Sequence, residues 1–177
     1  MKKKKSQVWI ETVIYTLIGF VIIGAVLAIA KPKIEQFQDK LVIESTIELL
    51  EKMDNSIIEV GTGVQGNKRI EYISIKKGEL IINATGDIII FSMDSKYTYS
   101  QPGIDVNIAS IVARTEKKGS MNKIILKKDY SGSYNITFDN QEITKKIGKS
   151  PTPYTLSILN SGENPTDKKS IINIEVS

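Results

Sequence analysis

An unbroken apolar run close to the N-terminus constrains this chain more than any other feature. Residues 12–30 are 19 consecutive uncharged and mostly apolar residues. In a helix that rises about 1.5 Å per residue, a run of this length covers the hydrocarbon core of a bilayer, which is about 30 Å thick. A single segment in lipid must satisfy its own backbone hydrogen bonds, so it has to be helical. The sequence therefore predicts a transmembrane helix over residues 7–30.

The charges beside this run predict its orientation. Residues 2–5 are four lysines, and residues 1–6 contain no acid. Basic residues collect on the cytoplasmic side of membrane helices, so we expect a single pass through the cell membrane, with a cytoplasmic N-terminus and an extracellular C-terminal domain. A secretory signal peptide is the alternative, but its apolar stretch is usually about 7–15 residues and ends at a small-residue cleavage site. Here the run is longer and leads into Lys31 and Pro32, which favours a retained helix.

Composition excludes several functional classes. The 24 basic and 20 acidic residues give a formal charge of +4, but removing the four lysines of the leader, residues 1–6, leaves 20 of each. A basic surface for nucleic acid is therefore not expected. The chain has no Cys and no His, which excludes disulfides, thiol chemistry, imidazole bases and the commonest transition-metal ligands. We expect no cofactor, no metal site and no small-molecule substrate.

One carboxylate lies just inside the apolar segment. Glu11 follows Gln7 by four residues, in the sequence KSQVWIE of residues 5–11. Together with the long apolar run, this sequence resembles the class III signal peptide of archaeal type IV pilin-like proteins. The resemblance covers residues 2–60 and implies that a prepilin peptidase cuts between Ser6 and Gln7. It also implies that Glu11 becomes the fifth residue of the mature chain.

Two positions differ from the usual pattern of that family. Ser6 replaces the more usual glycine before the cut, and Trp9 stands where many members have a small residue. The apolar run also lacks the IGTLI-like signature of archaellins. The resemblance therefore does not favour a subunit of a motility filament.

The position of Glu11 has a physical interpretation of its own. A carboxylate at the centre of a bilayer costs roughly 2.5–3.5 kcal/mol on insertion scales, and less near the end of a span. Cleavage before Gln7 would create an α-amine one helical turn away, at the i,i+4 separation that brings groups together. Such an amine, from the same or a neighbouring subunit, would neutralise Glu11 and fix axial register during assembly. The alternative is that Glu11 lies at the headgroup level and simply reaches water.

A second helical pattern follows the span. Pro32 lacks one helical donor and is expected to kink the helix or to start a second one. Apolar residues then recur at three- and four-residue spacing, which predicts an amphipathic extension over residues 31–60 whose apolar stripe covers a sheet. The stripe consists of Ile34, Phe37, Leu41, Ile43, Ile47, Leu50, Met53 and Ile57. A coiled-coil partner is the alternative, although Glu44 breaks the heptad.

A glycine-rich segment, residues 61–68, is expected to end the helix as a cap and a flexible turn. Its first six residues match GxGxxG. The dinucleotide-binding fingerprint requires a strand before these glycines and a helix after them. Here the predicted order is reversed, so a nucleotide site is not expected.

The C-terminal part, residues 69–177, is predicted to be a β domain. Short runs of alternating apolar and polar residues, separated by turn residues, are typical of antiparallel sheets. Eight such runs lie at residues 70–75, 80–83, 88–91, 104–108, 123–128, 134–138, 154–158 and 172–176. The first two flank a hairpin-like turn at residues 76–79. We therefore predict an α+β chain in which a long N-terminal helix precedes an antiparallel, β-sandwich-like domain of seven or eight strands.

The β domain contains no pattern that predicts an enzyme. Serines and threonines are frequent, but the familiar acyl-transfer sites need His or Cys as well. Scattered acids do not form a calcium loop of the EF-hand type; they include Asp94, Asp105, Asp129 and Asp139. Two sequons, at Asn83 and Asn135, are candidate N-glycosylation sites if the domain lies outside the cell.

The expected function is structural. The resemblance implies a subunit of a type IV pilus-like surface filament that assembles through its apolar helix and serves adhesion. Its partners would be the membrane, other pilin subunits and a prepilin peptidase. The first alternative is an uncleaved single-pass protein that presents a β-sandwich binding domain outside the cell. The second is a membrane-tethered hydrolase, which would need a pocket with perturbed acids or lysines.

Overall fold

One long helix, α1, forms the N-terminal part of the chain. The computed structural model describes the backbone of residues 3–177 and the side chains of residues 8–177, and α1 is the 60-residue helix Lys3–Thr62. Pro32 lies inside it, although proline lacks the N–H that would bond to the preceding turn. No second helix starts at Pro32, so the predicted span and its amphipathic extension form one helix.

The chain divides into two compact units, Met1–Gln38 and Asp39–Ser177. The described part of the first unit belongs to α1 and contains its apolar run. The second unit contains the rest of α1 and all the described strands.

The part of α1 in the second unit carries its apolar stripe on a buried face. The buried members recur at three- and four-residue spacing, as an amphipathic helix requires. They are Ile43, Ile47, Leu50, Met53, Ile57 and Val60. Leu41, which was predicted to belong to this stripe, is 48 % exposed. In the first unit the predicted members Ile34 and Phe37 are 55 % and 62 % exposed.

Side chains from distant strands satisfy the last carbonyl groups of α1, which have no partner within a helix. The side-chain amide of Asn160 donates to the carbonyl groups of Val60 and Gly63, both at 3.1 Å. The hydroxyl of Ser170 donates to the carbonyl group of Gly61 at 3.0 Å. The end of the helix is therefore fixed both by the β region and by the segment that follows it, where Asn67 donates to the carbonyl group of Glu59 at 3.2 Å.

The glycine-rich segment ends α1 at Thr62 and forms a turn, as predicted, but its first glycine has a packing role. Gly61 still belongs to α1, and a Cβ at this position would lie 2.3 Å from the ring of Tyr134. Gly61 is therefore a site of close packing. The turn conformation that favours glycine occurs at Gly66, where φ is +89°.

Ten strands follow, so the prediction of seven or eight is wrong. They are β1 (Lys68–Ile73), β2 (Glu79–Asn83), β3 (Ile88–Ser95), β4 (Asp105–Ile108), β5 (Ile111–Lys118), β6 (Met121–Asp129), β7 (Tyr134–Phe138), β8 (Thr144–Gly148), β9 (Tyr154–Glu163) and β10 (Ser170–Val176). The two strands that were not predicted are β5 and β8. Small or polar side chains at buried positions of β5 hide its alternation, and in β8 only Ile147 is buried.

The strands form two sheets. The six-stranded sheet has the order β4-β5-β6-β3-β2-β8, and all its pairs are antiparallel. The four-stranded sheet has the order β1-β9-β10-β7, and its β10–β7 pair is parallel. The prediction of a wholly antiparallel domain is therefore wrong for this pair. The chain has an α+β fold with one mixed and one antiparallel sheet.

The predicted hairpin around residues 76–79 is also wrong. β1 pairs with β9 in the four-stranded sheet, whereas β2 pairs with β3 and β8 in the other. Residues 76–79 therefore connect two different sheets. A single cluster of buried apolar side chains includes residues of α1 and of both sheets, such as Leu50, Phe91 and Ile158.

Candidate functional site: the exposed apolar helix and its carboxylate

The N-terminal part of α1 presents its apolar side chains on every side. Between Val8 and Ile29, fifteen large apolar side chains are each 48–72 % exposed. By length and composition this helix is long and apolar enough to cross a membrane. Fully burying one such side chain is worth roughly 1.5–3 kcal/mol, so exposing fifteen of them to water would be very unfavourable. The segment is compatible with insertion into a membrane.

The polar groups within this segment are satisfied inside the helix. The hydroxyl of Thr12 donates to the carbonyl group of Val8 at 2.9 Å, and that of Thr16 donates to the carbonyl group of Thr12 at 2.8 Å. Such bonds to the preceding turn allow threonine to lie in an apolar environment without water. The two threonines therefore do not oppose a lipid environment.

Glu11 is the one charged residue in residues 8–30. Its side chain is exposed, and no ion pair connects it to another residue of the described part of the chain. Ser6 and Gln7, the predicted cleavage site, lie within α1, but their side chains are outside the described residues. The structure thus places a carboxylate that has no ion-pair partner among residues 8–177 one turn after Gln7 along the helix.

The two glycines of the segment leave open positions on its surface. A Cβ at Gly19 or at Gly24 would have no atom within 4 Å other than its immediate surroundings in the helix. Small residues let a second helix approach closely in a membrane. These positions can accept a neighbouring helix but are not used by the chain itself.

The two candidate glycosylation sites lie on different sheets. Asn83, at the end of β2, accepts hydrogen bonds from the backbone N–H of Gly86 at 3.3 Å and from the hydroxyl of Thr144 at 3.2 Å. Asn135 lies on β7 and donates to Asp167 Oδ2 at 3.2 Å. Because side chains alternate along a strand, it lies on the face opposite the buried Ile136. Both asparagines are partly exposed.

Three of the scattered acids of the β region, Asp94, Asp105 and Asp129, take part in surface ion pairs. Asp94 pairs with Lys118 at 3.7 Å, and Asp105 pairs with Arg114 at 3.1 Å. Hydrogen bonds from Ser131 lower the pKa of Asp129. Within the described residues, no group of three His, Cys, Asp or Glu side chains could hold a metal ion.

Sequence reasoning missed two buried carboxylates on α1. Asp54 is 4 % exposed and accepts from Ser110 Oγ at 2.6 Å and from Lys128 Nζ at 3.0 Å. Burial, together with the nearby Asp54 carboxylate, raises the pKa of Tyr130 above its ordinary value. The signal in the sequence is an acid within the apolar stripe, next to Met53. This cluster fastens α1 to the six-stranded sheet.

Asp39 makes a similar connection at the start of the second unit. It is 5 % exposed, and its carboxylate contacts Lys77 Nζ at 2.5 Å and the backbone N–H of Lys96 at 2.7 Å. Both aspartates connect the helix to the β region, although Asp54 Oδ1 is buried without a hydrogen-bond partner among the described residues.

No protein-family model, no curated protein and no solved structure matches this chain. Its function therefore has to be inferred from its own residues. Those residues present an uncovered apolar helix with one carboxylate, attached to an α+β unit that has its own core.

Proposed function

We propose that this protein is a structural subunit of a type IV pilus-like surface filament. The observation that carries the proposal is the set of fifteen exposed apolar side chains in the N-terminal part of α1. Before assembly, lipid would cover them. After assembly, the equivalent helices of neighbouring subunits would cover the same surface, so it would leave the bilayer without entering water.

Glu11 has a defined role in this proposal. A prepilin peptidase removes residues 1–6, and the new α-amine of Gln7 in a neighbouring subunit pairs with the carboxylate. Among residues 8–177 no cation pairs with Glu11, so none of them competes with the proposed amine. Pairing neutralises the charge and sets the axial position of each subunit relative to the next.

The second unit would be the part of the subunit outside the cell. Its buried apolar cluster joins two sheets and the end of α1, which supports a sandwich-like, pilin-type head that folds around its helix. The head would form the outer surface of the filament and carry its adhesive function. Asn83 and Asn135 would then be exposed to the glycosylation machinery of the cell surface.

The proposal is tested by the mature N-terminus and by one charge-removing substitution. Mass spectrometry of the protein from its own membranes should find Gln7 as the first residue. Glu11→Gln should abolish filaments seen by electron microscopy while the trimmed protein stays in the membrane. Glu48→Gln, the same change at an exposed position of α1, is the matched control and should leave the filaments intact.

If the protein is instead an uncleaved single-pass membrane protein, the opposite results are expected. It would keep residues 2–5, and Glu11→Gln would have no effect on it. Trimmed molecules that stay solitary in the bilayer when the export machinery is present would also overturn the proposal.

A further inference from the structure

The two sheets have four edge strands, and three of them are protected. On β7, the N–H groups of Ile136 and Phe138 are used by Asp87 Oδ1 and by the carbonyl group of Gln141. β8 contains two adjacent exposed lysines, which discourage pairing with another strand. β4 is only four residues long.

The fourth edge strand, β1, is the longest of the four, and its exposed basic residues Lys68 and Arg69 are accompanied by an acid, Glu71, in the same strand. It is six residues long, and β9 is the one described strand that pairs with it. Two of its large apolar side chains are open to solvent, since Ile70 is 54 % and Tyr72 is 73 % exposed. An open edge with exposed apolar side chains is a surface to which another strand adds.

The two faces of β1 differ. Arg69 and Glu71 point towards α1, because Arg69 pairs with Glu59 and Glu71 accepts a hydrogen bond from Ser56 at 2.7 Å. Successive side chains of a strand alternate between faces. Lys68, Ile70 and Tyr72 therefore lie together on the opposite face.

The sequence of β1 is complementary to itself when two copies run antiparallel. In a register centred on Ile70, each Ile70 lies opposite the other. Arg69 of one copy then lies opposite Glu71 of the other on the face towards α1, and this occurs twice. Each cross-strand ion pair would add to the contacts that Arg69 makes with Glu59, and Glu71 with Lys52, within the chain. On the open face Lys68 lies opposite Tyr72, also twice. Opposite charges and a cation beside an aromatic ring are favourable cross-strand pairs.

We propose that β1 is a docking edge for β1 of a second copy of this chain, in an antiparallel register centred on Ile70. The two four-stranded sheets would join into one continuous sheet across a two-fold axis. A two-fold contact uses the same surface on both molecules and closes at two copies. It is therefore distinct from the helix contacts of the proposed filament, which repeat along its axis, and it does not depend on them.

The absence of cysteine from the chain makes a direct test possible. Directly opposite Cβ atoms of paired strands are about 4.5–5.5 Å apart, close to the separation that a disulfide needs. Full-length Ile70→Cys, oxidised in its native membranes, should form a disulfide-linked dimer on a non-reducing gel. Val64→Cys is the control, because Val64 is 82 % exposed but lies outside β1. We expect about tenfold more dimer from Ile70→Cys, because pairing raises the effective thiol concentration.

The register is tested by a mixture of two variants. Chains with Lys68→Cys and chains with Tyr72→Cys, expressed together, should cross-link to each other more than either does to itself. The two chains can be told apart by a tag on one of them.

A second measurement does not use cross-linking, which can also trap molecules that collide by chance. Ile70→Asp places two like charges opposite each other, so the dimer fraction of the full-length protein in detergent, measured by light scattering, should fall. Val64→Asp should leave it unchanged. Equal cross-linking of Ile70→Cys and Val64→Cys, or none, would overturn the β1 pairing. Filaments that persist in Ile70→Asp would leave the proposed function untouched.

Discussion

The two parts of α1 contain similar apolar residues in opposite environments. In the second unit, Ile43 and Ile57 are completely buried. In the first unit, Ile22 and Ile23 are 57 % and 56 % exposed. The apolar side chains of the second unit are covered by the strands of the same chain, whereas those of the first unit can be covered only by lipid or by other molecules. A helix with one apolar stripe can therefore pack within its own fold, but a helix that is apolar on all sides needs a partner.

The largest difference between the two parts of α1 is expected when a leucine in each is replaced by alanine and the stability of the second unit is measured. Leu50 is 2 % exposed, and Leu27 is 61 % exposed. Leu50→Ala should destabilise the second unit by about 2–5 kcal/mol, because it leaves a cavity. Leu27→Ala should leave that stability unchanged. Thermal unfolding of the full-length protein in detergent, followed by circular dichroism, measures both, and an equal loss for the two variants would contradict the comparison.

An intermediate effect is expected from a matched pair of glycine substitutions. Gly61→Ala would push a methyl group into the ring of Tyr134, which costs about 1–3 kcal/mol for overpacking. Alanine has a better helix propensity than glycine, which offsets up to about 1 kcal/mol of this cost. The free energy of unfolding should therefore fall by about 1 kcal/mol.

At Gly19 a Cβ meets nothing within 4 Å, so Gly19→Ala should not lower the stability of the fold. Denaturant titration compares the two variants. A filament defect in Gly19→Ala with unchanged stability would show that neighbouring helices pack closely there.

The smallest effect concerns the pH dependence of the second unit. Burial opposes the charge of Glu71, but hydrogen bonds from Lys52 and Ser56 outweigh it, so its pKa is lowered from its ordinary value of 4.5. A carboxyl group with a lowered folded-state pKa stabilises the fold above its unfolded-state pKa and loses that contribution as pH falls through the folded-state pKa.

Stability should therefore decline below about pH 4.5, and Glu71→Gln should reduce the decline. Lys52 is mostly exposed, so we expect a change of at most about 1 kcal/mol. Unfolding midpoints measured between neutral and acidic pH provide the check, with Glu48→Gln as the control. An unchanged slope in Glu71→Gln would show that other carboxylates cause the decline.

Features set by local sequence could be predicted. The apolar run that forms the first part of α1 needs only composition and length, and the buried stripe from Ile43 to Ile57 needs only helical spacing. In each case the signal lies within a few residues of the structure that it specifies.

Features set by distant partners could not be predicted. β1 pairs with β9, so that Ile73 lies opposite Tyr154, and nothing near β1 indicates this partner. Asp54 occupies a buried position because Lys128, 74 residues later, supplies the opposite charge. The role of Glu11 remains a prediction for the same reason, since its proposed partner belongs to another molecule.

The bonds that close the last turn of α1 also set an order of events during synthesis. Their donors, Asn160 and Ser170, follow their acceptors by about 100 residues, with separations of 97 to 109. At a translation rate of roughly 5–20 residues per second, the ribosome needs about 5–20 s to produce that stretch. Throughout this interval the last turn of the nascent helix lacks the hydrogen bonds from Asn160 and Ser170. A chaperone that shields this helix end would therefore have a window of several seconds in which to act.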